Sequence, residues 1–288
     1  MRKSTIGIVI FTIILVGMIV PAGFSTADSK VVITYGETTH HNADYKNTVD
    51  DFFVRNANVD LHKIDSKIIT ADEVNKIASS ITGKTYGSNQ IYSCALLDLQ
   101  NTGSLEVNVD KSKITTITGE MYISALKSAG ITSGHVYVTS PVQATGESAL
   151  AGIMNSYEEV TDVEIPDSVK EAASDEIFTE AEIVNNSGVN PDELSNSVDQ
   201  VKEEVSGDNV TDHNTIVNII NNYVENNNIN ITNSDIENLA NTIEQVQNVQ
   251  GDVNSYQTQI NEILGNSTDG FGGFSIDGII EMIKSFFG

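Results

Sequence analysis

Apolar residues along this chain fall into three regimes of spacing. The first is a greasy run from Ile6 to Val20, interrupted only by Gly7, Thr12 and Gly17. Arg2 and Lys3 precede it, and Pro21 and the small residues Ser25-Thr26-Ala27 follow. A charged start, an apolar middle and small residues before a cleavage point are the layout of a secretory signal. The pattern predicts a signal peptide over 1–27, cut after Ala27.

The second regime, residues 28–160, alternates strand and helix periods. The β-branched run Val31–Tyr35, stopped by Gly36, reads as a strand. A helical period places Val49, Phe52 and Phe53 on one face of Tyr45–Asn56, and Val59–Ile69 holds a weaker strand. Thr70-Ala71-Asp72-Glu73 has the form of a capping box, in which the threonine hydroxyl takes the Glu73 amide and the glutamate reaches back. It opens a helix with Val74, Ile77, Ala78 and Ile81 inward, closed by Gly83. Ile91–Leu99 and Leu105–Val109 flank Asn101-Thr102-Gly103 and predict a hairpin, with Lys113–Ile117 continuing its second strand. A helix from Thr118 through Ala129, a strand at His135–Thr139 and a helix at Glu147–Glu158 complete the region. This alternation predicts an α+β or α/β fold, a mixed sheet with packed helices.

Beyond an acidic linker, Thr161–Pro166, every apolar period is helical, so residues 161–264 read as an all-α, coiled-coil-like region. Val169, Ala172, Ala173, Ile177 and Ala181 mark one helix. Pro191-Asp192-Glu193 starts another, with proline in the first turn and acids at the positive helix end. Thr211 reads as the cap of a third. Thr232 opens the longest, whose apolar positions run from Ile236 through Leu239, Ile243, Val246, Val249, Val253, Tyr256 and Ile260 to Ile263. That is a heptad seam with one three-residue slip near Val246, and Gly251 marks a kink beyond it. Such a seam has to be covered, by a bundle of the chain's own helices or by self-association or a protein partner through 232–264.

Residues 265–288 close the chain as a flexible tether and a short amphipathic helix. The helix, 275–288, carries Ile276, Ile279, Ile280, Ile283, Phe286 and Phe287 on one face. It is shorter than the about 20 apolar residues a bilayer span takes. Its expected roles are docking on the protein's own bundle or lying in a membrane surface.

Charge narrows the partners. The formal net charge is −25, and loss of Arg2 and Lys3 with the signal makes the remainder more acidic still. A polyanion is repelled by nucleic acid, which is therefore excluded as a partner. The acid also serves simple solubility outside the cell. Tryptophan is absent and aromatics make up 6% of residues, so Ile, Val, Leu and Ala are expected to build the core. Asparagine is concentrated beyond Val184, which we read partly as genome composition. The single cysteine, Cys94, cannot form an intrachain disulfide and reads as a buried, inert thiol. With no cysteine in Gly23–Ser29, a lipoprotein-type anchor is excluded.

Candidate chemistry is sparse. Glu37, His40, His41 and Asp44 are metal-ligand types within eight positions, although no established spacing is matched and a solvated loop is the ordinary alternative. The strand-turn-helix at 139–152 is the best ligand-site candidate, through Ser140, Thr145, Gly146 and Ser148. Amides at a helix start hold anions or carbonyls. The plain alternative is an αβ connection capped by Thr145 or Ser148, with Gly152 allowing close packing. Sequons at Asn185, Asn209, Asn230 and Asn266 are candidate glycosylation sites. No Gly-x-Ser-x-Gly elbow, Walker loop, His-Glu-x-x-His or calcium loop occurs, and no cofactor is implied.

The run Thr118–Ile131, followed by His135–Pro141 and Thr145–Ile153, resembles the YpuA-like family of exported proteins, a domain of unknown function (1002) of Gram-positive bacteria and methanogenic archaea. The shared pattern is an M-Y-x-x-A-L-x-x-A-G helix, a strand, an S-P turn and an S/T-G-x-x-A-L-x-G-I helix. It covers residues 31–160 best, and the part beyond Val184 looks specific to this chain. The loop carrying His40-His41 departs from the family's acidic or polar helix start. The resemblance implies export and fold and transfers no catalytic residue. The expectation is an exported protein of the cell envelope, secreted, at the surface or anchored by an uncleaved signal, acting through protein or envelope contacts. The alternative is an extracytoplasmic enzyme or small-ligand binder using 139–152.

Overall fold

Five short strands, β1 (Val31–Gly36), β2 (Asp65–Ile69), β3 (Cys94–Asp98), β4 (Glu106–Val109) and β5 (His135–Thr139), form one mixed sheet. Their order is β2-β1-β3-β5-β4. The computed structural model describes residues 30–83, 85–100 and 103–266. The expected signal peptide and the 275–288 helix lie outside these residues.

The hairpin expected from Ile91–Val109 does not form. β5 lies between β3 and β4, antiparallel to the first and parallel to the second. Burial explains the order. Cys94, Ala95, Leu96 and Leu97 are buried on both faces of β3, which suits a central strand. Alternate residues of β4 are exposed, which suits an edge. Lys113–Ile117 does not extend β4 either. The amides of Lys113 and Ile114 turn back to the Asp110 carbonyl at 2.9 and 2.8 Å.

Strand alternation sorts the sheet's two faces. Val31, Ile33, Tyr35, Cys94 and Leu96 pack under Val49 and Phe53 of a helix, α2 (Ala43–Ala57), that follows the short α1 (Glu37–His40). On the opposite face lie α4 (Gly119–Ser128) and α5 (Glu147–Thr161). There Gly152 lets α5 approach β1: a Cβ at Gly152 would meet the Thr34 side chain at 3.1 Å. The Thr34 hydroxyl donates to the Gly152 carbonyl at 3.0 Å. α3 (Ala71–Thr82) begins at the expected capping box, with Thr70 N on Glu73 Oε2 at 2.8 Å and Glu73 N on Thr70 Oγ1 at 3.3 Å. Gly83 ends it at φ +66°.

Five helices follow: α6 (Asp167–Ser187), α7 (Pro191–Gly207), α8 (His213–Asn226), α9 (Asn233–Asn248) and α10 (Gln250–Asn266). Asp212, not Thr211, caps α8 through the Thr215 amide, because a carboxylate one residue nearer the helix reaches its third amide. The long heptad helix is two helices, broken at Val249. The break redirects the seam. Ile236, Leu239 and Ile243 of α9 join an aliphatic core with Val198, Ile216 and Ile220. Val253, Tyr256 and Ile260 of α10 return to the sheet-side core. The seam is thus largely covered from within the chain, leaving Ile263 44% exposed at its end.

α10 docks on the end of α4. The Tyr256 hydroxyl donates to the Ala129 carbonyl. Gln257 Nε2 reaches the Gly130 carbonyl at 3.1 Å and the Tyr157 hydroxyl at 3.3 Å. These side chains satisfy carbonyls that a helix end leaves open. Gly130 sits at φ +80°, and a Cβ there would meet Val253 at 2.6 Å, so only glycine fits. The sheet-side core therefore contains residues from both sides of position 160. It also holds Tyr122, Tyr157, Tyr256, Met121 and Met154, so the expected aliphatic makeup fails here, whereas it holds for the helical core and for the small cluster under α3. Among the described residues no helix is long and apolar enough to cross a membrane.

Candidate functional site

The polar faces of α6 and α9 run side by side and, with Tyr86 and Glu147, line a groove of about 550 Å³. Helical spacing builds it. Asp175, Thr179, Glu182 and Asn186 recur along one face of α6, and Asn238, Asn241, Thr242 and Gln245 along one face of α9. Side chains three and four apart share a helix face. The floor is joined by hydrogen bonds: Thr242 Oγ1 donates to Asp175 Oδ2 at 2.6 Å and lies 3.2 Å from Thr179 Oγ1. Above the floor, the amides of Asn185, Asn186, Asn238, Asn241 and Gln245 are exposed and bond to no side chain or backbone group among the described residues. Phe178 and Tyr86 supply aromatic surface.

Among the described residues no lysine, arginine or histidine lines the groove, whereas Glu147, Asp175 and Glu182 do. Burial raises the Asp175 carboxyl above the ordinary carboxylate range, the Thr242 hydrogen bond opposes this, and Glu176 adds to it. A second concavity, of about 720 Å³, surrounds the linker before α6. Both of its lysines are paired, Lys76 with Asp167 at 2.7 Å and Lys170 with Glu158 at 2.6 Å, which leaves Asp162, Glu164 and Gln259 exposed around it. The α6–α9 groove is the one that sets a row of five carboxamides facing a single cleft.

The turn chosen from sequence contributes to this groove through a neighbour. Glu147 lines it. Ser140 is fully buried with its hydroxyl unpartnered among the described residues. Gly146 is a packing residue at φ +113°, where a Cβ would meet Ile114 and the Tyr122 hydroxyl at 2.8 Å. The Tyr122 hydroxyl donates to the Gly146 carbonyl at 2.5 Å. Neither Thr145 nor Ser148 caps α5, because Gly146 itself occupies the cap position. The exposed Thr145 hydroxyl instead donates to Glu147, and Ser148 is half-buried.

The four metal-ligand types do not converge. Glu37 Oε2 accepts the Ala71 amide at 2.9 Å and so holds the start of α3. The His40 ring packs edge-on to His41, with centroids 5.6 Å apart, and burial together with that neighbour lowers its pKa. Asp44 is exposed on α2. Among the described residues no group of three or more His, Cys, Asp or Glu is placed to hold an ion. Burial pushes the Cys94 thiol up to about 12, so it is a protonated core residue. Asn185 lines the groove, Asn209 and Asn230 are exposed, and the side chain of Asn266 lies outside the description.

Sequence reasoning missed a buried charged cluster where α4, α6 and α7 meet. Lys202 Nζ reaches Glu176 Oε1 at 2.6 Å, Asp199 Oδ1 at 2.9 Å, Ser124 Oγ at 2.8 Å and Ser128 Oγ at 3.0 Å. Ser128 donates to Glu176 Oε2 at 2.6 Å. Burial alone would lower the Lys202 pKa, but the Glu176 and Asp199 carboxylates reverse this and hold it above the ordinary lysine range. Burial alone would raise Asp199, but Lys202 and Lys127 pull it down to about 2. A serine beside a lysine suggests a nucleophile and its base, yet a base must shed its proton near neutral pH. This lysine is locked as ammonium, so the cluster is a structural joint. Glu180 sits alongside, fully buried, and among the described residues the Ser195 hydroxyl is the polar group set against its carboxyl, too poorly aligned for a full hydrogen bond. Burial, and then the Glu176 charge, raise its pKa well above the glutamate range. The pairing of Glu176 with Lys202 is 26 residues apart in sequence, so no local signal announced it.

An α+β chain with a two-core, sheet-and-bundle architecture and a polar interhelical groove is what these observations define. It belongs to the family described as protein of unknown function DUF1002, which matches residues 35–263. It is 28% identical over 216 residues to Uncharacterized protein YpuA of Bacillus subtilis (strain 168), covering 74% of this chain and 70% of that protein. No solved structure matches. The family match runs far past Val184, so the helical part is a family feature and not, as the reach of the sequence resemblance suggested, specific to this chain.

Proposed function

We propose that this member of a family of unknown function is an exported binding protein of the cell envelope that takes its ligand in the α6–α9 groove. The observation that carries the groove assignment is the set of exposed, unengaged amides facing one cleft. Exposed amides are solvated by water, and a row of them in one concavity can exchange that water for the donors and acceptors of a ligand. The basis for export is the leader over 1–27. Sequencing the N-terminus of isolated protein tests it, with a start at Asp28 expected and a retained Met1 on soluble cytosolic protein fatal. The blocking variant Asn241→Trp tests the groove. Envelope extract is expected to raise the melting temperature of the wild type and not of the variant, and equal shifts would refute the site.

Envelope attachment through 275–288 is the second part of the proposal, motivated by that segment's one apolar face. Deleting 265–288 should release the protein from envelope fractions; unchanged fractionation and size would remove the tail, and self-association through it, from the account. A hydrolytic reading has one observation in its favour, the raised Asp175 carboxyl in a groove with two further carboxylates. A raised carboxyl pKa moves the group in the direction a general acid needs. Release of new reducing ends from bound saccharide, abolished in Asp175→Asn, would establish it.

A further inference from the structure

Resting on the groove assignment above, we infer that its ligand is a neutral, polyhydroxylated saccharide. The lining sorts the alternatives by charge first. Among the described residues three carboxylates and no cationic side chain face the cleft, so phosphates, uronates and other anions meet like charge on entry. A neutral ligand meets no such barrier.

Hydrogen-bonding chemistry then favours hydroxyls. Each primary amide offers two donors and a two-lone-pair acceptor. A sugar hydroxyl both donates and accepts, so Asn185 and Asn186 on α6 can pair with it from one wall, and Asn238, Asn241 and Gln245 on α9 from the other. Glu182 accepts from hydroxyls and offers them no donor. A cationic amine, by contrast, is all donor and would leave the five amide NH2 groups without acceptors. The two rings complete the pattern. The face of an aromatic ring is negative and attracts the weakly positive C–H face of a pyranose. Tyr86 and Phe178 are the only aromatic residues lining the groove among those described.

Asn185 sharpens the inference, because it is also a sequon residue. A glycan attached there would fill the groove covalently, so attachment and capture of a free saccharide exclude each other at this residue.

The test uses saturation-transfer NMR and calorimetry on the full exported chain. The probes are neutral β-1,4-linked glucose and N-acetylglucosamine oligosaccharides, an oligouronate and spermine. The neutral oligosaccharides are expected to bind, and equally well at about 1 M salt, where the screening length falls to about 3 Å. Asn241→Ala should weaken binding about 3- to 10-fold, as loss of a hydrogen bond or two does. Tyr86→Ala should weaken it by a similar factor, and Asn241→Trp should abolish it with the melting temperature unchanged. Binding of spermine alone, displaced by salt and blocked by Asn241→Trp, would overturn the saccharide and leave the groove standing. Binding of neutral oligosaccharides unaffected by Asn241→Trp would overturn the groove itself. No binding by either neutral series, while envelope extract still stabilises the wild type and not Asn241→Trp, would also overturn the saccharide alone.

Discussion

The two largest cores of this protein are made of different material. The sheet-side core mixes tyrosines and methionines with aliphatic residues, and three of its bordering glycines, Gly130, Gly134 and Gly146, sit at positive φ against nearby side chains. The helical core contains only Ile, Leu, Val and Ala among its buried members. Its flanking glycine, Gly188, has φ +69° but open space around it. The contrast teaches where positional specificity resides. Where helix ends meet a sheet, the gaps are irregular, and a ring with a polar tip fills them while bonding a stray carbonyl. Helix against helix is regular, and volume and periodicity suffice.

The largest expected effect falls on the joint between the cores. Lys202→Met leaves Glu176 buried without a counter-ion and Asp199 with Lys127 alone and should cost about 3–5 kcal/mol. Urea unfolding followed by circular dichroism is expected to show either that loss or a separation into two transitions. Next, Gly130→Ala forces a side chain into Val253 at positive φ, at about 3 kcal/mol, whereas Gly188→Ala bears only the backbone strain of about 1 kcal/mol. Equal costs would erase the contrast drawn here. Ile220→Val in the aliphatic core should cost about 1 kcal/mol with an unchanged denaturant slope.

Glu180 predicts a pH dependence. Its folded pKa is raised, so its contribution is fully present below the ordinary glutamate range and is lost as pH rises toward the folded value. Glu180→Gln should flatten that decline, and a wild-type slope in the variant would remove Glu180 as its source. Asp199 acts at the other end. With its pKa lowered to about 2, its stabilisation is lost only as pH falls from the ordinary aspartate range toward that value. The smallest effect belongs to His213, which bridges Glu244 at 2.8 Å and Glu237 at 2.9 Å between α8 and α9. Those carboxylates raise its pKa, so the clamp holds below the ordinary imidazole range and fades as pH rises through the folded value. His213→Gln should remove a shallow neutral-pH step in melting temperature and leave acid unfolding unchanged.

Much of the fold was legible locally. The Thr70 capping box, the Pro191 helix start and the buried stripe of α6 depend on residues within a few positions of one another. Strand order was not legible, because the choice of β5 over β4 as the neighbour of β3 follows from burial on a second face that only tertiary packing supplies. The Val249 break was half-visible as a slip in the heptad. Its consequence, two different cores served by one stripe, was hidden because periodicity reports that a face is covered and not by what. The groove was hidden for the same reason. Asn238, Asn241 and Gln245 read as a solvated face until α6 brings a second polar face beside them, and only Glu147 of the turn singled out earlier reaches it.

The return of α10 sets an order of events during biogenesis. Val253, Tyr256 and Ile260 close a core whose other walls are made much earlier in the chain. A polypeptide emerging amino end first can therefore close this core only after Ile260 has been made, so roughly the first nine-tenths of the chain is synthesised before β3 and β5 find their full cover.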